Sequence, residues 1–100
     1  MSGTPHISVV RVPTHSASRY LQQLAKHWSH KMTVAFTEEE GTITFPTGSV
    51  LAMRADSESL DLVLTVPEGE DTGRMREVVA SHLDRFAFRE APLTFDWREG

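Results

Sequence analysis

Residues 60–66 alternate strictly between two faces, and this pattern constrains the fold more than any other feature of the chain. The even-numbered positions are Leu60, Leu62, Leu64 and Val66, whereas the odd-numbered positions are Asp61, Val63 and Thr65. Successive side chains of a β-strand point to opposite faces, so the segment is predicted to be a strand with one buried face. Such strands are typical of antiparallel sheets that are covered on one side only.

Five other short segments have strand patterns and end at turn-forming residues such as proline and glycine. They are residues 7–12, 33–38, 42–45, 49–56 and 93–97. The outward positions of the predicted sheet are small and uncharged, namely Thr33, Ala35, Thr42, Thr44, Ala52, Val63 and Thr94. A flat face with so little charge is either solvated or an interface, and a homodimer through this face is one interpretation.

Two segments have helical spacing. Residues 17–31 place an apolar stripe around Leu24 on one side, and Thr14 or Ser16 is positioned to cap the N-terminus of this helix. A second helical segment follows Thr72, and its apolar face carries Met75, Val78, Val79, His82, Leu83 and Phe86, with His82 near the middle of that face.

The resulting order, β-α-β-β-β-β-α-β, predicts a two-layer α+β fold in which two helices cover one face of an antiparallel sheet. The length of 100 residues is sufficient for one domain, 1–100, with its core at about residues 7–98.

Several classes of protein are excluded or disfavoured by composition. The chain has no cysteine, which excludes a disulfide scaffold, thiolate zinc sites and a cysteine nucleophile. No apolar run approaches the roughly 18 residues of a membrane helix, and residues 1–6 lack the apolar core of an export signal, so we expect a cytoplasmic protein. The familiar phosphate-loop, zinc-protease and serine-hydrolase motifs are missing from the sequence, so an enzyme is not favoured.

The charge of the chain is unevenly distributed. Residues 1–37 contain four basic residues and no acidic ones, whereas residues 38–100 contain six arginines and 14 acidic residues, which gives net charges of +4 and −8. Either the two halves pack together and offset each other, or the basic first helix is offered to an acidic partner. Nucleic acid is not expected, because its binding domains are usually far more basic than a pI of about 5.7.

These observations favour a non-catalytic binding or accessory module that recognises a protein partner or a small ligand. The candidate binding residues lie along the polar side of the first helix, and they are Arg19, Gln23, His27 and His30.

The histidines provide an alternative function, that of a metal- or iron-linked accessory protein. His27 and His30 lie on one flank of the first helix, with His15 at its start and His82 on the second helix. Imidazole is the commonest protein ligand of transition metals, so convergence of these four side chains would create a site for zinc or iron. Structural roles explain the same residues, with His82 as a core histidine hydrogen-bonded through one ring nitrogen and His30 exposed.

Three segments resemble a known bacterial family. They are HSASRYLQQLAKHWSHK at residues 15–31, HLDRFAFRE at residues 82–90 and FDW at residues 95–97. Together they resemble the domain-of-unknown-function 2218 family over about residues 9–98. The resemblance implies an unassigned activity and, because related domains accompany flavin-dependent siderophore-interacting proteins, a link to iron handling. Ala25 stands where members often carry cysteine, so the resemblance implies no thiol-dependent function for this chain.

The element order also resembles TATA-binding-protein-like and helix-grip folds, although a shared fold does not by itself imply a shared function.

Overall fold

Six strands form one antiparallel sheet, and two helices pack on one of its faces. The computed structural model describes residues 4–100, so residues 1–3 of the predicted domain lie outside the described residues. The elements are β1 (His6–Pro13), α1 (Ala17–Trp28), β2 (Thr33–Phe36), β3 (Glu40–Thr44), β4 (Val50–Ala55), β5 (Ser59–Val66), α2 (Thr72–Phe86) and β6 (Arg98–Glu99). The strand order is β2-β3-β4-β5-β1-β6. This architecture confirms the predicted α+β class and element order.

The inner face of the sheet is formed by residues that lie directly opposite each other on neighbouring strands and point to the same side. Leu62 of β5 lies opposite Val10 of β1 and Met53 of β4, and all three side chains are buried. Leu64 is also fully buried, whereas Val63 on the opposite face keeps 39% of its surface exposed. A slip of one residue would move the whole buried set into solvent, so one-sided burial fixes the strand register.

Helix α1 covers the sheet most closely. Leu21 and Leu24 are fully buried, as the predicted apolar stripe requires. Gly41 of β3 makes room for this contact, because a Cβ atom at that position would lie only 3.2 Å from Leu21 Cδ2. The close approach places α1 over the part of the sheet formed by β2, β3 and β4.

Helix α2 packs beside α1 on the same face of the sheet. Its N-terminus is capped by Asp71, whose Oδ1 accepts a hydrogen bond from the Arg74 backbone N–H at 3.0 Å. Val79 and Leu83 are fully buried, whereas Phe86 at the end of the helix is only half-buried. No helix within residues 4–100 is long and apolar enough to cross a membrane.

The predicted strand at residues 93–97 is wrong, because this segment packs along α2 instead of joining the sheet. The Leu93 backbone N–H donates to Asp84 Oδ1 of α2 at 2.8 Å. The Trp97 ring centroid lies 5.8 Å from Cζ of Arg76, which is also in α2. The last strand is the two-residue β6, which pairs with β1.

Smaller corrections concern the ends of elements. Thr94 was predicted on the outward sheet face but lies outside the sheet, and α1 ends at Trp28, about one turn before the predicted boundary. Ser16 occupies the N-cap position of α1 without making a side-chain cap hydrogen bond. Thr14 does not cap the helix either; its Oγ1 accepts from the Ser16 N–H at 3.0 Å and donates elsewhere.

We predict that two adjacent residues of β5 differ sharply in their contribution to stability. Leu64→Ala should lower the free energy of unfolding by about 3–4 kcal/mol, because it removes a fully buried side chain and leaves a cavity. Val63→Ala should lower it by less than about 1 kcal/mol, because Val63 lies on the exposed face. Urea denaturation measures both values, and similar losses for the two variants would contradict one-sided burial.

Candidate ligand-binding site

A pocket of about 240 Å³ opens between α1 and the turn that follows α2. This arginine pocket is lined by Arg19, Tyr20, Gln23, Phe86, Phe88 and Arg89. Two guanidinium groups, a carboxamide and two phenyl rings thus line a single cavity. Its volume is below the roughly 300–1,000 Å³ of pockets for drug-sized molecules, so it suits a small ligand.

Local structure explains how the two sides of the arginine pocket are formed. Arg19 and Gln23 are four residues apart, so they lie on successive turns of the exposed side of α1. Beyond α2 the chain turns sharply, with the Ala87 carbonyl accepting from the Glu90 backbone N–H at 2.8 Å. The two residues inside this turn supply the other side of the pocket.

Those two residues form an exposed cation–π pair. Arg89 Cζ lies 5.7 Å from the centroid of the Phe88 ring, and the Phe88 residue is 73% exposed. A phenyl ring beside a guanidinium group offers an apolar and a cationic contact at the same edge of the pocket.

The two arginines of the pocket have no acidic partner within the described part of the chain. Among residues 4–100, ion pairs are formed by Arg11, Arg76 and Arg98, and neither Arg19 nor Arg89 belongs to any of them. A guanidinium group can bind a carboxylate or phosphate through two parallel hydrogen bonds. The arginine pocket is therefore chemically suited to an anion.

Glu90 anchors the turn after α2 to the start of α1. Its carboxylate accepts hydrogen bonds from Thr14 Oγ1 at 3.0 Å and from the Tyr20 hydroxyl. Burial raises the pKa of Tyr20, and the hydrogen bond to the negatively charged Glu90 raises it further, so the hydroxyl remains a donor. This contact joins residues 70 positions apart and holds the two sides of the pocket together.

A pair of histidines adjoins the arginine pocket where the two helices meet. The ring centroids of His27 on α1 and His82 on α2 are 5.5 Å apart. The His27 ring also lies 5.6 Å from Phe86, which lines the pocket, while His82 packs 4.9 Å from the Trp28 ring. The predicted binding residue His27 thus lies beside the pocket formed by Arg19 and Gln23.

The hydrogen bonding of His82 defines its tautomer. Its Nδ1 lies 2.7 Å from the Val78 carbonyl oxygen, which can only accept, so Nδ1 carries the hydrogen. The Nε2 atom of the neutral ring is then an acceptor. This is the hydrogen bond expected of a structural histidine, although the residue is half-buried rather than fully enclosed.

The surroundings of His27 disfavour its protonated form. Partial desolvation lowers the pKa of His27, and electrostatic repulsion from His82 in its protonated form and from Lys31 and Arg85 lowers it further. Cationic groups therefore gather along this side of the helix pair.

The remaining predicted metal ligands lie elsewhere. His15 Nδ1 donates to the Ser57 carbonyl at 3.2 Å, and the 12 residues between His15 and His27 correspond to about 18 Å along a helix. His30 is exposed in the turn after α1. Within residues 4–100, no group of three or more histidine, aspartate or glutamate side chains is placed to hold a metal ion. The structure brings His27 and His82 together but does not assemble the predicted set of four.

A larger cavity of about 690 Å³ lies at the start of α1. Its lining includes His15 and Arg19, but it also includes Glu38, Glu39 and Asp56. Three carboxylates oppose the binding of an anion, so this cavity is less suited to anionic ligands than the arginine pocket is.

Sequence reasoning identified only one side of the arginine pocket. Arg19 and Gln23 follow from the polar side of the first helix, whereas Phe88 and Arg89 belong to no periodic pattern. The available signal is the stretch RFAFR at residues 85–89, which places arginine and phenylalanine together beyond the last buried position of α2.

A family model matches residues 9–98, which is most of the chain. The chain belongs to the DUF2218 family. Its description, an uncharacterized protein conserved in bacteria, assigns no activity. The resemblance carried by the three sequence segments is thereby confirmed. The link of DUF2218 domains to siderophores is not part of that description and stays a prediction.

A solved structure is similar to this DUF2218 chain over nearly its full length. The NMR structure of PA4090 from Pseudomonas aeruginosa shares 35% sequence identity and has a TM-score of 0.76, and the match covers 93% of this chain and 95% of that chain. No curated protein matches the chain significantly. These similarities establish the family and the fold, so a function has to be argued from the site.

We predict that the Glu90 anchor contributes measurably to stability. Tyr20→Phe should lower the free energy of unfolding by about 1–2 kcal/mol, because a hydrogen bond to a charged group is lost while the ring remains packed. Glu90→Gln should cost less, since its amide oxygen can still accept. Chemical denaturation tests this order, and a Tyr20→Phe variant as stable as the wild type would contradict it.

We predict that His27 titrates below its ordinary pKa of 6.5. A pKa that is lowered in the folded state means that the folded protein favours the neutral form of the ring more than the unfolded protein does. The associated stability is present above pH 6.5 and is lost as the pH falls through the lowered pKa. NMR titration of the ring protons gives the midpoint, and His27→Gln should lose less stability than the wild type between neutral pH and about pH 5. A midpoint at or above 6.5 would disprove the assignment.

Proposed function

We propose that this DUF2218 protein is a non-catalytic binding module that recognises a small anionic ligand in the arginine pocket. The observation that carries the proposal is the presence of Arg19 and Arg89 in one cavity, with neither forming an ion pair within residues 4–100. Two arginine side chains lining one cavity favour a carboxylate or a phosphate monoester as the ligand.

The rest of the arginine pocket suggests what the anionic group is attached to. Phe86 and Phe88 supply apolar and aromatic surface, and the Gln23 carboxamide can both donate and accept a hydrogen bond. The volume of about 240 Å³ leaves room for one small ring or a short apolar chain beside the anionic group. A small aromatic or aliphatic acid, or its phosphorylated equivalent, matches these features.

Electrostatics around the pocket support the same ligand class. Lys31 and Arg85 lie close enough to His27 to add to the lowering of its pKa, of which desolvation is the larger cause, so two cationic side chains lie on the His27 side of the pocket. The neighbouring Glu90 carboxylate accepts hydrogen bonds from Thr14 and Tyr20, and within residues 4–100 it forms no ion pair with Arg19 or Arg89.

Phenyl phosphate is a suitable probe for the proposed function. Titration into the ¹⁵N-labelled chain should produce saturable NMR shifts at the backbone and side-chain N–H groups of Arg19, Gln23 and Arg89. Arg19→Gln and Arg89→Gln should each weaken binding by about tenfold or more, because each removes a charge-assisted contact.

Controls separate specific recognition from general attraction to a positive surface. Arg74→Gln removes the same charge from an exposed position of α2 outside the pocket and should leave binding unchanged. Inorganic phosphate and benzyl alcohol report the separate contributions of the anionic group and the ring. Equal affinities of Arg19→Gln, Arg89→Gln and Arg74→Gln for phenyl phosphate would contradict the proposal. NMR shifts centred on the cavity beside His15 would contradict it as well.

The metal-linked alternative is supported by the His27–His82 pair alone. Titration with zinc tests it in the same spectra. Saturable shifts confined to these two histidines at micromolar zinc, lost in His82→Gln, would favour the metal-linked function. Weak or diffuse shifts would favour the anion-binding module.

A further inference from the structure

The outer face of the sheet, which the helices do not cover, carries a row of alternating charges. Arg11 of β1 lies opposite Asp61 of β5, Asp61 lies opposite Arg54 of β4, and Arg54 lies opposite Glu40 of β3. These four residues form the charged row, in which side chains on adjacent strands are about 5 Å apart. The Arg11 guanidinium already contacts Asp61 Oδ2 at 3.4 Å, so charges within the row do meet.

The rest of the outer face is uncharged across β2, β3, β4, β5 and β1. One row consists of Val9, Val63, Ala52, Thr42 and Ala35, and the next consists of Ile7, Thr65, Val50, Thr44 and Thr33. Ile7 and Val63 are each 39% exposed. At β6 the row that contains Val9 continues to Arg98, and a cavity of about 480 Å³ there is lined by Val9, Val63, Asp96 and Arg98, among others. The face therefore combines an uncharged area with a charged border on one side and a concave, charged end at β6.

The order of charges in the charged row is complementary to the order obtained when the row is read in the opposite direction. Read from β1 to β3, its signs are plus, minus, plus, minus. A two-fold axis that runs parallel to the strands, between β4 and β5, would place Arg11 opposite Glu40 of a second copy. The same axis would place Asp61 opposite the second copy's Arg54. All four positions would then face an opposite charge, which suits a self-complementary interface between identical subunits.

The same axis is also the one that covers most surface. Because β4 and β5 are the two central strands of the order β2-β3-β4-β5-β1-β6, rotation about it lays all six strands over six. The uncharged rows would form the centre of such a contact, with sheets about 10 Å apart as in aligned sheet packing. The charged row would lie at the rim, where ion pairs select partner and orientation without a large desolvation cost.

We infer that the outer face is a homodimer interface in which two sheets stack face to face about this axis. The 14 outer positions of the three rows span about 450 Å² per copy, so two copies would bury an area typical of weak, transient interfaces. A weak, reversible dimer is therefore expected, with a dissociation constant that rises with ionic strength.

Charge reversal provides a decisive test by sedimentation velocity over a range of concentrations. Arg54→Glu would face Asp61 of the second copy, and Asp61→Arg would face Arg54, so each variant alone should dimerise at least tenfold more weakly than the wild type. Mixing the two variants restores opposite charges at every position, so the equimolar mixture should dimerise again. The dissociation constant of the wild-type dimer is the reference for the single variants and for their mixture.

Matched controls distinguish this symmetry from a general effect of charge or folding. Arg74→Glu and Glu77→Arg make the same charge changes at exposed positions of α2 and should not alter dimerisation. NMR spectra confirm that each variant is folded, and Arg11→Glu mixed with Glu40→Arg provides a second complementary pair. A wild type that stays monomeric up to about 1 mM at low ionic strength, or folded variants whose mixtures do not associate, would overturn the proposed dimer.

Discussion

One-sided burial of the sheet is the constraint on which the rest of the structure depends. Leu62 and Leu64 of β5 are buried together with their partners in β1 and β4, while Val63 between them remains exposed. Because every inner side chain must be covered, both helices have to lie on the same side of the sheet. The arginine pocket and the uncovered outer face of the sheet, which are the two surfaces proposed to bind a ligand or a second copy, are consequences of this arrangement.

The side-by-side helices bring together groups that are distant in sequence. Arg19 on α1 becomes a neighbour of Arg89 only because the turn after α2 is tied back to α1 by Glu90. The distribution of charge becomes understandable as well. Arg11 is offset by acidic residues of the second half, whereas Arg19 and Arg89 keep their charge without an ion pair within residues 4–100.

Local periodicity was sufficient to predict most of the fold. The strict alternation around Leu64 fixed the inner face, and helical spacing around Leu24 identified the buried side of α1. The segment at residues 93–97 shows where this reasoning fails. Its alternation has the period of a strand, but a long-range hydrogen bond from Leu93 to Asp84 holds it against α2.

The candidate site was less predictable because it depends on long-range contacts. Thr14 has the side chain of a helix cap, yet its hydroxyl donates to Glu90, which lies 76 residues away in sequence. Helical spacing places His27 and His30 on the same flank of α1, with His27 nearer the core, but only the packing of α2 determines that His27 meets His82. A pattern within one helix contains no information about which flank its neighbour will occupy.

The most direct test of one-sided burial is the accessibility of side-chain methyl groups to a soluble paramagnetic agent, measured by NMR at two protein concentrations. At low concentration, the methyl signals of Val63 should be strongly attenuated and those of Leu64 should be protected. At high concentration, a face-to-face dimer should protect the Val63 methyl groups while the Leu64 signals remain unchanged. Protection of Val63 in the dilute protein, or attenuation of Leu64 at either concentration, would contradict the one-sided sheet on which both proposed surfaces depend.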